Sequence, residues 1–427
     1  MSSSIRVFVS HPGKQGNVYQ RPRAAEQAGC TVTFLTGLYY FPERFPYSFV
    51  KYLRSPFREK IQKELEKRRQ EGLSPDNVVS LLGPMLETIL RPRGLLREWG
   101  AIHDWMAGAW LRRRQLGAGP SIVHCFQDSA LRTLQATRRN GVVRILEVTL
   151  PPVPQHECEA IAEGASRFKQ LQLRAAERLR RELEHAEWAV AQSAYSVRSI
   201  ASLGFARDRI LCIPLGVDTR VFKPQAARSE SEPAFRALFV GTIGRRKGVH
   251  HLLRAWRQLQ LRDAELVIVG DKETPEAREL LDGSGENVRA VGNVSFERLL
   301  EEYHDADVLI HASLAEGGCN VVHEALACGL PCVVSANATS AVRDGVEGYV
   351  VPVANTRALG ERIAELYASP DLRIRMSRAA RQRAEDLSWE AYVERLGNVY
   401  LELGRGASVI PAEARTDTVF GANIIPC

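Results

Sequence analysis

Hydrophobic and polar residues alternate along this chain in two rounds of the same rhythm. In the first, short apolar runs at 5–10, 31–35, 121–125, 143–148, 188–192 and 210–214 read as strands. Helical patterning fills 19–27, the stretch after Asp128 through 138, 155–187 and 196–203. In the second round, runs at 236–241, 266–270, 288–291, 307–311, 331–335 and 349–351 alternate with helical segments. These begin at Val249 and continue at 357–368, 372–386 and 389–403. Strands apolar along their whole length, each followed by a helix, predict parallel sheets of βαβ units. The polar stretch 225–233 reads as a linker. The pattern gives a first domain over 1–215, a second over 216–403 and a loose tail over 404–427.

Residues 38–115 break the rhythm. Aromatic residues and prolines crowd 39–49, a charged helix is predicted over 57–69, and more apolar helices over 80–90 and 95–110. The segment reads as a helical insertion on the first domain. It holds 15 Lys/Arg and 9 Asp/Glu, a net +6 against +7 for the whole chain. Basic residues among aromatics suit an anionic membrane surface or an acceptor groove, and equally a solvated face. Glu59, Glu64 and Glu66 interrupt the basic run and argue against nucleic acid.

The chemistry concentrates in 311–335, HASLAEGGCNVVHEALACGLPCVVS. Glu316 and Glu324 flank a glycine turn that leads into a helix. Asn320 is the expected cap, Gly329 the stop and Pro331 the break before a strand. Glycines at 317 and 318 let backbone N–H groups come close to a ligand. A helix N-terminus favours an anion such as phosphate, and carboxylates beside it suit the hydroxyls of a sugar or ribose. The alternative is an amphipathic helix whose glutamates face water. Two further turns follow strands. Residues 11–17, HPGKQGN, place His11, Gln15 and Asn17 at the end of the first strand, where open α/β sheets bind ligands. Residues 242–248, TIGRRKG, set Arg245, Arg246 and Lys247 before a helix. Either is also compatible with a plain solvated turn.

A length of 427 residues fits two or three domains, and 45% hydrophobic with 25% charged residues is ordinary for a soluble fold. No apolar run reaches the roughly 18 residues of a membrane helix, and the first residues, MSSSIRVFVS, do not read as a signal peptide. Eight cysteines without a CxxC pair point to a reduced, cytoplasmic protein and away from zinc.

In order, the chain carries Ile213-Pro214-Leu215-Gly216-Val217-Asp218 with Phe222 and Pro224, then Phe239-Val240-Gly241 through Arg246-Lys247-Gly248. Val291-Gly292-Asn293-Val294 and Asp305-Ala306-Asp307-Val308 follow. Glu316 and Glu324 with their ALACGLP, Gly345-Val346-Glu347-Gly348-Tyr349 and Ser388-Trp389 close the series. With these motifs the chain resembles the retaining GT-B glycosyltransferases of family four, clearly over about 187–390 and less clearly over 5–150. The resemblance implies two facing Rossmann-like domains with a nucleotide-sugar donor in the cleft and a last helix crossing back to the first domain. It implies Lys247 on the donor diphosphate with Arg246 or Arg245 as its partner, Glu324 on the ribose hydroxyls and Glu316 close to the transferred sugar. The backbone of Gly317, Gly318, Cys319, Asn320 and Val321 would hold sugar and phosphate oxygens, with Gly16 near the phosphate.

Three positions depart from the family pattern. Thr242 stands where many members have a phosphate arginine, Gly318 and Cys319 replace a Phe-Gly pair, and Phe126 replaces a histidine near the reacting sugar. His124 and His11 remain as candidates on the acceptor or sugar side. The implied activity is transfer of a sugar to a glycan or lipid-linked acceptor with retention, without metal or cofactor, in a cytoplasmic protein able to sit on the inner membrane face. The competing readings are another GT-B activity, such as an epimerase or phosphorylase, and a non-catalytic sugar-nucleotide or glycan-binding protein.

Overall fold

The computed structural model of the chain describes residues 4–13, 16–37, 39–43, 47–52, 54–55, 57–66, 73–81, 99–114, 116, 119–154, 166–225, 235–338 and 341–407. The expected linker from 226 on and the tail beyond 407 lie outside these residues, as do 155–165 and most of the helix expected over 80–90.

Two parallel sheets carry the fold. The first has seven strands in the order β3-β2-β1-β4-β5-β6-β7. These are β1 (Arg6–His11), β2 (Thr31–Thr36), β3 (Val78–Ser80), β4 (Ser121–Phe126), β5 (Val142–Val148), β6 (Trp188–Ala191) and β7 (Ile210–Cys212). The second has six, in the order β10-β9-β8-β11-β12-β13. They are β8 (Phe235–Val240), β9 (Ala264–Val269), β10 (Val288–Gly292), β11 (Val308–His311), β12 (Cys332–Ser335) and β13 (Gly348–Val351). The central strands β4, β6, β8 and β11 are buried at every residue, as a sheet covered on both faces requires.

The 38–115 segment is not wholly an inserted set of helices. Helices α2 (Phe57–Glu66) and α3 (Trp99–Arg112) are present, but Val78–Ser80 pairs in parallel with Phe34–Thr36 and extends the first sheet by an edge strand. Three residues are too few to show a period, so Ser80 was readable as a helix start. Trp105 and Ile102 are exposed on α3, and Arg112, Arg113 and Arg114 are exposed at its end.

Helix α1 (Gln20–Gln27) leads from β1 to β2, and α4 (Leu131–Ala136), α5 (Ser166–Leu183) and α6 (Ala194–Ser202) follow along the first sheet. In the second, α7 (Val249–Leu259) buries Val249, Leu252, Leu253 and Trp256, the face of one helical stripe. After α8 (Pro275–Leu281), α9 (Phe296–Asp305), α10 (Asn320–Ala327), α11 (Thr356–Ala368) and α12 (Pro370–Asp386), the chain returns to the first sheet as α13 (Trp389–Gly404). Ser388 caps α13 by accepting from the Ala391 N–H. Tyr392, Val393, Leu396, Val399, Tyr400 and Leu403 then enter one core with Val7, Val9, Phe34 and Ile122. Each such burial contributes about 1.5–3 kcal/mol, which ties the end of the chain to its beginning.

The domains also meet directly. Val153 and Tyr195 of the first half bury against Leu314 and Ala315 of the second. The Ser196 hydroxyl donates to the Gly317 carbonyl at 3.2 Å, and Arg198 to the Asn337 side chain at 3.0 Å.

Candidate functional site

Both sheets turn the carboxyl ends of their strands toward this junction, the edge where α/β sheets bind ligands. In the second domain the chain leaves β8 and reaches α7 through Arg245, Arg246 and Lys247. Gly248 has φ 70°, and a Cβ there would stand 1.9 Å from the Ala312 carbonyl oxygen. Glycine alone permits that approach, which brings the basic turn against the loop after β11. The Leu314 N–H and the Ser313 hydroxyl both donate to the Arg246 carbonyl and pin the two loops together.

Glu316 gathers the charges. Its Oε1 accepts from Lys247 Nζ and from Ser313 Oγ, the latter at 2.9 Å. His311 Nε2 lies 3.4 Å and an Arg246 guanidinium nitrogen 3.6 Å from the same oxygen. Burial by itself would raise the Glu316 pKa. The His311 hydrogen bond, then Lys247 and Arg246, outweigh that and hold it at about 2. Burial keeps His311 below its ordinary value, against the pull of Glu316.

Glu324 lies in α10, and its Oε2 accepts from the Tyr303 hydroxyl at 2.8 Å. Burial raises its pKa, and the Tyr303 bond opposes the rise. Asn320 does not cap α10. The cap position is Cys319, which makes no side-chain bond to the helix, and Asn320 is the exposed first helical residue. The helix thus begins one residue earlier than the capping preference of asparagine suggested. The first N–H groups of α10 are therefore left without a side-chain cap. Val321 follows, half-buried, and the Cys319 thiol is buried, which pushes its pKa up.

Gly317 and Gly318 are sites of close approach between the domains. A Cβ on Gly317 would fall 1.7 Å from the Thr149 carbonyl oxygen, and one on Gly318 2.4 Å from Gln192 Oε1. Gln127 braces the Thr149 loop with two hydrogen bonds to the Leu150 backbone.

The structure does not bring every expected residue here. Arg245 points to α8, where its guanidinium pairs with Glu279 at 2.6 Å and its N–H donates to Glu276. Arg246 is the arginine that joins Lys247. His124 is wholly buried between Glu147, 3.2 Å from its Nε2, and the Tyr400 hydroxyl, 2.7 Å from its Nδ1. Its ring faces the crossing helix rather than the cleft, because alternate residues of β4 point to opposite faces of the sheet. His11 ends β1 with its edge on Phe126, accepts from the Gly13 N–H at Nδ1, and is held by burial at about 4. Gly16 is exposed just before α1, and Gln15 lies outside the described residues.

Four residues escaped sequence reasoning as site members: Tyr303, Ser313, His311 and Gln192. A polar residue ending an otherwise apolar strand could have flagged His311. Tyr303 has no local signal, since it reaches Glu324 from the preceding helix. Among the described residues no group of three His, Cys, Asp or Glu side chains is placed to hold a metal ion. A cavity of about 610 Å³ lies at the opposite ends of β4 and β5, beside Ser121, Val142 and Leu403. Two of its three arginines, Arg139 and Arg144, are engaged by backbone carbonyls and by Glu187.

The family described as glycosyl transferases group 1 matches residues 222–383. The D-inositol 3-phosphate glycosyltransferase of Kribbella flavida is 31% identical over 349 residues, 75% of this chain and 76% of that protein. D-inositol 3-phosphate glycosyltransferase 1 of Catenulispora acidiphila is 32% identical over 234 residues, covering 48% of this chain but only 56% of that relative's length. The GDP-mannose-dependent monoacylated alpha-(1-6)-phosphatidylinositol monomannoside mannosyltransferase of Corynebacterium glutamicum is 28% identical over 229 residues, 48% of this chain and 60% of that protein. Among solved structures, sucrose-phosphate synthase from Thermosynechococcus elongatus superposes with a TM-score of 0.63 at 20% identity, over 95% of this chain and 100% of that one. This likeness shows the fold, two Rossmann-like domains in the GT-B arrangement.

Proposed function

This chain belongs to the glycosyl transferases of group 1, and from that premise we propose that it moves a sugar from a nucleoside diphosphate sugar to a hydroxyl of a glycan or lipid-linked acceptor, with retention of configuration. The observation that carries the reading is the meeting of Lys247 and Arg246 on one oxygen of the buried Glu316, in the loop that opens α10.

The donor diphosphate draws Lys247 and Arg246 from Glu316 and lies against the first N–H groups of α10. Glu316 keeps Ser313 and His311 on Oε1 and offers Oε2 to the sugar hydroxyls. Glu324, steadied by Tyr303, accepts from the ribose hydroxyls. The acceptor hydroxyl attacks the anomeric carbon from the side of the leaving group. The bond to the phosphate oxygen breaks, and that oxygen takes the acceptor proton. Lys247 and Arg246 stabilise the charge that develops there, so the scheme uses neither metal nor cofactor. The contacts at Thr149 and Gln192 exclude water from the donor.

A lipid-linked acceptor on an anionic surface is supported by the outer face of α3, where Trp105 is 63% exposed beside Ile102 and three arginines follow. A position on the cytoplasmic membrane face is part of this reading, and the name of the Corynebacterium relative, a phosphatidylinositol monomannoside mannosyltransferase, supports it. Among the described residues no helix is long and apolar enough to cross a membrane. Binding to anionic vesicles at low salt, lost with Arg112→Glu/Arg113→Glu/Arg114→Glu, tests this part. Equal binding by the variant would refute it.

The second reading, a non-catalytic binder, is favoured by Phe126, which packs against His11 where many members of the family have a histidine. Release of diphosphate from UDP-glucose or GDP-mannose on adding acceptor glycolipid separates the two. Turnover supports transfer, and binding without turnover supports the binder.

A further inference from the structure

Beneath the cleft lies a buried polar network. Glu147, at the end of β5, is wholly buried and pairs with Arg21, whose guanidinium also donates to the Asn17 carbonyl at 2.5 Å. Its Oε2 faces His124, which reaches Tyr400 of the crossing helix. Its Oε1 accepts from Gln192 Nε2 at 2.9 Å. That bond fixes the orientation of the Gln192 amide. With its NH₂ turned down to Glu147, its oxygen faces Gly318 of the other domain.

The space above Gly318 is filled from the first domain. A Cβ there would meet Gln192 Oε1 at 2.4 Å, Leu215 Cδ1 at 2.8 Å and Gln192 Cβ at 3.1 Å. Any side chain at 318 and the Gln192 amide would claim the same volume, which in a close-packed junction one of them must leave. We propose that Gln192 is a positioning residue: oriented by Glu147, it seats the 317–319 loop in the closed cleft and thereby sets the place of Glu316, two residues upstream. The inference rests on the transferase reading and adds to it the first-domain residue that aligns the donor loop.

The test uses Gly318→Ala, Gln192→Ala and the double variant in the full chain. Small-angle scattering of the ligand-free proteins reads domain closure. Hydrolysis of UDP-glucose and GDP-mannose reads kcat and KM, and inhibition by UDP and GDP reads diphosphate binding. Gly318→Ala is expected to enlarge the radius of gyration and lower kcat by about tenfold to a hundredfold, the size of effect that a misplacement of about 1 Å produces. Diphosphate inhibition should change less than turnover, because Lys247 and Glu324 keep their own positions while the 317–319 loop and Glu316 shift. The double variant should be more compact than Gly318→Ala and recover part of the kcat of Gln192→Ala alone, short of full recovery because Leu215 Cδ1 still stands 2.8 Å from the added Cβ. A Gly318→Ala protein as compact and active as native, or a double variant no more compact than Gly318→Ala, overturns the proposal. If native protein turns over neither probe, the donor reading fails and the scattering comparison still decides this one.

Discussion

Lys247 donates to Glu316 Oε1, so the cation proposed for the diphosphate and the carboxylate proposed for the sugar share one hydrogen bond. Opposite effects on binding and turnover follow. Lys247→Ala should weaken UDP or GDP binding and lower kcat by about 10²–10³-fold, as loss of an oriented charge does. Glu316→Gln removes the anion that competes for Lys247. It should bind the diphosphate at least as tightly as native protein while losing turnover. Calorimetry with UDP and GDP beside steady-state rates checks both.

Tyr303 holds Glu324 in place, and its hydroxyl is what opposes the rise that burial imposes on the carboxyl. A protonated Glu324 accepts poorly from a ribose diol, so donor affinity should fall as pH drops through this raised value. Tyr303→Phe removes the opposing bond. It should shift the acid limb of donor binding to higher pH and weaken binding by about the 1.5–3 kcal/mol of a charged hydrogen bond at most. An unshifted limb would show that Glu324 does not take part.

The Arg21–Glu147 pair is sealed, with both side chains at 1% exposure or less. Burial would raise the Glu147 pKa, but Arg21 and then His124 drive it well below the usual carboxylate range. Its contribution is thus present above that range and is lost as pH falls through it and below. Arg21→Met leaves a buried carboxylate without its cation and should cost about 3–5 kcal/mol in chemical denaturation. Arg21→Met with Glu147→Leu should cost clearly less than the sum of the single changes.

Glu182 behaves in the opposite sense. It accepts from the Asp128 and Ala130 N–H groups, yet burial, with Asp128 and Asp104 nearby, pushes it up to about 7. The native state holds this proton above the ordinary value near 4.5, so the contribution is full below that value and is lost as pH rises through about 7. The melting temperature of Glu182→Gln relative to native protein should therefore rise between pH 5 and pH 8. A constant difference would contradict the assignment.

Strand and helix periods made the two parallel sheets legible, because β8, β11 and β12 are short, mostly apolar runs and α7 and α13 carry clean stripes. Lys247, Glu316 and Glu324 were legible because each sits in a turn or helix that follows a strand. What stayed hidden depends on contacts across the chain. Nothing local shows that Val78–Ser80 finds an edge at Phe34–Thr36, or that Arg245 turns to Glu279 while Arg246 turns to Glu316. His124 read as a candidate because the resemblance sets a pair of histidines near the end of this strand, of which it is the first. Its burial follows from Tyr400, which arrives from the far end of the chain.

The most direct measurement is thermal stabilisation by UDP-glucose and GDP-mannose, with release of UDP or GDP followed in the same samples, for native protein, Lys247→Ala and Glu324→Ala. One donor at about a hundred times its dissociation constant should add about 2.7 kcal/mol to native protein, with slow diphosphate release, and both effects should vanish in the two variants. Equal stabilisation of all three proteins would contradict the placement of the donor against Lys247 and Glu324.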